Sequence, residues 1–125
     1  MHSRAELEEM VERWVEANRI AQDKGDWTGL AEFYAPDATY GWMYQPDEHF
    51  MAVGRDEIRD WALGTEMAGL EGWTYPYVSV VIDEKQGMVI GFWRQVSPVE
   101  GIEITGIGGS WFGYAGNGQW AWQRD

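Results

Sequence analysis

Tyr34-Ala35-Pro36-Asp37-Ala38-Thr39-Tyr40, followed further on by Gly54-Arg55-Asp56-Glu57-Ile58-Arg59-Asp60-Trp61, decides the fold. The first segment reads as a helix end, a tight turn at Pro36-Asp37 and then a strand, because proline fixes its own φ and biases the residue before it away from helix. The second reads as a helix opening on Gly54, with Glu57 three residues on and Ile58, Trp61, Ala62 and Leu63 on its apolar side. Upstream of Tyr34 the apolar residues recur at helical spacing. From Trp73 onward they alternate in twos.

Toward the N-terminus, Ser3-Arg4-Ala5-Glu6 fits a capping box, with the Ser3 hydroxyl and the Glu6 carboxylate each satisfying a free backbone N–H. Leu7, Met10, Val11, Trp14, Val15, Ala17, Ile20 and Ala21 then form one stripe of a helix that fades at Lys24-Gly25. Asp26 is a plausible N-cap for a shorter helix through Tyr34, with Trp27, Leu30 and Phe33 facing inward. Toward the C-terminus, 38–43 and 49–53 read as short strands around the turn Gln45-Pro46-Asp47-Glu48. Longer strands follow over 73–83, 88–96, 102–114 and 119–125, with turn signals at Glu84-Lys85-Gln86-Gly87 and Ala115-Gly116-Asn117-Gly118. Helices first and antiparallel strands later define an α+β chain, and 1–125 reads as a single domain.

With these elements in this order, the two quoted segments resemble the SnoaL-like branch of the nuclear transport factor 2 superfamily. That superfamily also holds ketosteroid isomerases, limonene epoxide hydrolases, dehydratases and polyketide cyclases. The resemblance spans nearly the whole chain. It implies a cone-shaped, cystatin-like α+β barrel, in which a strongly curved mixed sheet and N-terminal helices enclose an apolar pocket. Relatives run on after the last strand into a closing tail, so either the mouth is more open here or a tail is missing. The fold alone leaves the reaction open.

A ligand wall is expected at Trp14, Trp42, Trp61, Phe92, Gly106, Gly108, Ser110 and Phe112. Gly106, Gly108 and Ser110 share one face of a strand and offer almost no volume. A row of small residues suits a close approach by a ligand; the alternatives are that Trp14, Trp27 or Trp61 fills the gap, or that the glycines let the sheet bend. For chemistry, similarity to the limonene epoxide hydrolases places Tyr40 on their water-binding tyrosine, Arg94 on their arginine and Asp125 on one of their two aspartates. Trp42 stands where they carry an asparagine, and Val96 where they carry the other aspartate. The ketosteroid isomerase base also falls on Trp42, which cannot move a proton. The Asp–His pairing of SnoaL-type cyclases has its only imitation in Asp125 with His49. Arg94, Asp125, Tyr40 and His49 are therefore the candidate catalytic residues, with Arg94 expected to pair with Asp125 if the face it shares with Phe92 and Val96 lines the pocket.

Composition removes several other functions. The chain has no cysteine, so disulfides, thiolate nucleophiles and Cys-bound metals are excluded. His2 and His49 form no ligand spacing, and no metal or organic cofactor is expected. A net charge of −12 disfavours nucleic acid and anionic membranes. The N-terminus lacks an apolar signal core, which makes the cytoplasm the expected compartment. Trp120 and Trp122 are two residues apart and are expected on one face beside Trp111, an aromatic patch suited to a homodimer through the outer sheet face. Two functions remain. One is a cofactor-independent acid/base enzyme (isomerase, lyase, cyclase or epoxide-hydrolase type) acting on a small hydrophobic molecule. The other is a non-catalytic binding or dimerisation module of the same fold.

Overall fold

A computed structural model describes residues 1–102 and 107–125. The first helix, α1, runs Arg4–Lys24. Ser3 caps it, its hydroxyl accepting from the Glu6 N–H at 3.1 Å, and Gly25 closes it in the left-handed region at φ 66°. Only the serine half of the expected capping box forms. The Glu6 carboxylate instead accepts from the Tyr114 hydroxyl at 2.6 Å and lies 3.4 Å from His2 Nδ1. A tertiary partner has displaced the local one. Leu7, Met10, Trp14 and Ala21 form the buried stripe. Each of the larger three contributes about 1.5–3 kcal/mol by leaving water.

The expected second helix is a 3-10 segment, Thr28–Phe33. Asp26 does not cap it. Its carboxylate accepts from the Thr28 N–H at 3.0 Å and the Thr28 hydroxyl at 2.7 Å, which makes a turn ahead of the helix. Strand β1 then spans Tyr34–Gln45 and β2 spans Glu48–Val53. The chain therefore does not turn at Pro36-Asp37. Those residues are absorbed into β1 as a bulge, where Tyr34 pairs with Trp120 but Thr39 pairs with Trp122. Five steps on one strand match two on the other. Pro36, which has no N–H for a ladder, sits in the extra residues. Arg55 Nε donates to the Tyr34 carbonyl at 2.8 Å and holds the entry to the bulge.

Helix α2 is Arg55–Glu57 and continues as a π turn over Ile58–Ala62, closed by the Leu63 N–H on the Ile58 carbonyl at 2.9 Å. The wider turn changes which side chains face inward. Ile58, Ala62 and Leu63 are buried, whereas Trp61, expected beside them, is 47% exposed. Strands β3 (Tyr77–Asp83), β4 (Met88–Arg94), β5 (Ile107–Gly116) and β6 (Gln119–Arg124) complete one sheet in the order β2-β1-β6-β5-β4-β3. Only β1 and β6 are parallel. No helix among the described residues is long and apolar enough to cross a membrane.

Between β5 and β6 the register slips twice, and the slip separates two tryptophans expected to share a face. Trp120 pairs with Tyr114 and is fully buried, stacked on Phe112 at 4.5 Å. Trp122 pairs with Gly113 on the other face, where the Arg124 guanidinium lies 5.9 Å from its ring. Trp120 Nε1 has no hydrogen-bond partner among the described residues. Trp120→Ala is expected to cost about 3–5 kcal/mol. Trp120→Phe keeps most of the ring and removes the unsatisfied donor, so it is expected to cost under about 2 kcal/mol. Urea denaturation of both variants checks this difference.

Candidate functional site

The concave side of the sheet and α1 enclose a cavity of about 370 Å³. Trp14 and Asn18 of α1, Trp27 and Leu30 around the 3-10 segment, and Ala62, Leu63, Glu66, Met67 and Leu70 after α2 form its helical wall. Tyr34, Tyr40 and Trp42 of β1 form the sheet wall together with Tyr75, Tyr77, Trp93, Ser110, Gln123 and Asp125. Eight of these side chains are aromatic: four tryptophans and four tyrosines.

One carboxyl lies at the centre of the polar part. Asp125 Oδ1 accepts from Ser110 Oγ at 2.6 Å and Gln123 Nε2 at 2.9 Å, and Oδ2 accepts from Tyr40 Oη at 2.7 Å. The donors are themselves held. Trp93 Nε1 donates to Ser110 Oγ at 2.9 Å, and the Tyr34 hydroxyl donates to the Gln123 side-chain oxygen. The Asp125 N–H donates to the Gly41 carbonyl at 3.1 Å, which anchors the residue beyond the end of β6. Asp125 counts as exposed when the whole residue is considered, but its carboxyl points inward among these donors. Burial raises its pKa above the ordinary carboxylate value, and the three hydrogen bonds from Ser110, Tyr40 and Gln123 oppose that rise. Burial first, and the Asp125 charge second, push the Tyr34 and Tyr40 hydroxyls well above the usual tyrosine value, so both remain protonated donors.

Tyr77 faces the same space. Its oxygen accepts from Trp14 Nε1 at 2.9 Å, and burial raises its pKa. Among the described residues no acceptor receives the Tyr77 O–H, which leaves this proton for a ligand. The cavity thus holds a carboxyl that can take a proton and a phenol that can hydrogen-bond an oxygen.

The candidates from sequence divide sharply. Asp125 and Tyr40 are in direct contact, and Trp14, Trp42 and Ser110 line the cavity. Arg94 does not join them. It pairs with Ile107 on the outer face of the sheet and is exposed, and Phe92 lies on that face with it. Strand β4 presents the opposite parity, with Val89, Gly91 and Trp93 facing inward. The expected Arg94–Asp125 pair is therefore not formed. His49 is exposed on β2, opposite Met43. Trp61 points outward and Phe112 is core beneath Trp14, 5.4 Å from its ring. Gly106 lies outside the described residues. At Gly108 the expected space is taken, because an added Cβ would stand 2.1 Å from the Trp93 ring.

Four side chains of the site were not singled out from sequence: Tyr34, Tyr77, Trp93 and Gln123. Gln123 carried a usable signal, since it lies two residues before Asp125 and shares its face. Tyr75 and Tyr77, which flank Pro76, carried another.

The chain belongs to the SnoaL-like domain family, whose model matches residues 11–122. No curated protein matches it in sequence. Among solved structures it is similar to an NTF2-like protein from Anabaena variabilis, at 15% identity over 99% of this chain and 90% of that one, with a TM-score of 0.71. It is also similar to Bal32a from a soil-derived mobile gene cassette, at 20% identity over 93% and 87% of the two chains and a TM-score of 0.67. A Sinorhizobium meliloti protein proposed to be a polyketide cyclase is 16% identical over 93% and 92%, with a TM-score of 0.63. At these identities the likeness is one of fold.

A raised carboxyl binds its proton more tightly in the folded chain than in the unfolded one. Its stabilising contribution is complete below the unfolded pKa and is lost as pH rises through the folded pKa. Asp125→Asn, which cannot ionise, is expected to melt above the parent protein at neutral pH, with the gap closing in acid. Melting temperatures of both proteins across that pH range check the sign.

Proposed function

We propose that this protein is a cofactor-independent acid/base enzyme acting on a small hydrophobic molecule held in the cavity. The observation that supports it best is the Asp125 carboxyl, enclosed by an aromatic wall and fixed by Ser110, Gln123 and Tyr40. In this reading Asp125 takes a proton from the ligand, or from a water beside it. The Tyr77 hydroxyl hydrogen-bonds the oxygen on which negative charge develops. Tyr40, Ser110 and Gln123 hold the carboxyl in position, and Trp93 acts through Ser110. Such a pair suits isomerisation, elimination, hydration or ring closure next to a carbonyl or epoxide.

A second reading, a non-catalytic binding module, draws support from the placement of Arg94. With that residue outside, no guanidinium among the described residues lines the cavity to stabilise an oxyanion. Turnover separates the two. Tryptophan fluorescence across neutral lactones, epoxides and enones first identifies a bound class, which is then assayed for conversion. For an enzyme, Asp125→Asn is expected to lower kcat by about 10²–10⁴-fold with the affinity for neutral ligands unchanged. Binding with no conversion of any bound compound rejects the enzymatic reading.

Self-association belongs to the same proposal. Val81, Phe92, Ile107 and Trp111 stand exposed on the outer face of neighbouring strands β3, β4 and β5. A contiguous apolar surface of this kind is suited to a second copy of the chain. Trp111→Glu is expected to convert a dimer to a monomer in native mass spectrometry with the cavity's ligand affinity retained. A parent protein that is already monomeric at micromolar concentration rejects the dimer.

A further inference from the structure

The Asp125 carboxyl receives three hydrogen bonds, all from neutral groups: a serine hydroxyl, a glutamine amide and a tyrosine hydroxyl. Enclosed carboxylates are ordinarily paired with a cation as well. Here no Lys, Arg or His is among the described residues that line the cavity, and the arginine expected as its partner lies on the far side of the sheet. The remainder of the wall has the complementary character. Four tryptophans and four tyrosines line the space. Aromatic faces attract cations through their quadrupoles and do so most strongly where water is excluded. An anionic ligand meets the Asp125 carboxyl, whose three partners are all neutral. A neutral one offers the aromatic rings and the carboxyl no cation to attract.

From this arrangement we infer that the cavity's ligand is a small lipophilic cation, a hydrophobic amine bound as its ammonium form or a quaternary ammonium. Its charge lies within reach of Asp125 and its apolar body against the indoles. This rests on the reading of the cavity as a ligand site and narrows the class of ligand. It also bears on the chemistry, because a bound cation favours the ionised form of Asp125 and so keeps the base charged in an apolar site. The other titratable groups among the described residues lining the cavity are the Tyr34, Tyr40, Tyr75 and Tyr77 hydroxyls, which stay neutral, and Glu66 on the helical wall.

The test compares two probes of the same shape, benzyltrimethylammonium and its uncharged carbon isostere neopentylbenzene. Both are titrated into the parent protein by tryptophan fluorescence at mildly alkaline pH. The ammonium is expected to bind at least about tenfold more tightly. Asp125→Asn is expected to remove most of that preference while leaving the hydrocarbon's affinity unchanged. Tyr75→Leu, on the half-buried part of the wall, is a second variant expected to weaken the ammonium alone. Equal or tighter binding of the hydrocarbon overturns the inference and leaves the ligand cavity standing. An Asp125→Asn variant that folds and keeps the full ammonium preference also overturns it. Failure of both probes to bind the parent protein overturns the inference and the ligand-site reading together.

Discussion

One indole joins the helix to the sheet. Trp14 projects from the middle of α1 and meets the rings of Phe33, Tyr34, Phe112 and Trp120 edge-on, with centroids 5.4–6.0 Å apart. Its N–H reaches Tyr77 at the start of β3. A single side chain thereby fixes α1 against the 3-10 segment and four of the six strands. Edge-to-face pairs have a preferred geometry, so the contact sets the orientation of the helix as well as its distance from the sheet. Cavity volume follows from that orientation, because the same indole is both a buried core contact and part of the cavity wall. The donor that Trp14 supplies also occupies an acceptor site on the Tyr77 oxygen, which lines the cavity. Packing and chemistry share this residue.

The order of elements was legible in the sequence because each depends on local signals. Ser3, Gly25, the Gln86-Gly87 turn and the Asn117-Gly118 turn all act where their spacing placed them. The departures occur where a distant partner outweighs a local preference. Glu6 abandons the capping box for Tyr114. Pro36 reads as a turn because proline cannot extend a ladder, but a bulge accommodates it once Arg55 holds the Tyr34 carbonyl. Trp61 fails because the expectation assumed 3.6 residues per turn and α2 widens into a π turn.

The site divides along the same line. Asp125 and Tyr40 meet although 85 residues separate them, and the family resemblance had brought them together. Arg94 is misplaced through parity alone. The alternation along β4 is plain in the sequence, yet which alternate set faces inward depends on register against β5. At Gly108 the sequence reading expected a ligand, or Trp14, Trp27 or Trp61, to approach the strand closely. What approaches is Trp93, from the neighbouring strand, a pairing that no single-strand pattern contains.

Strand β6 alternates between two surfaces over its last residues. Gln123 and the Asp125 that follows the strand turn inward, and Trp122 and Arg124 turn to the outer face. The slip after Trp120 puts both sets on one short rod. A rod cannot shift along its axis on one side only. Whatever settles on the outer surface at Trp122 and Arg124 would act on the same backbone that aims the carboxyl.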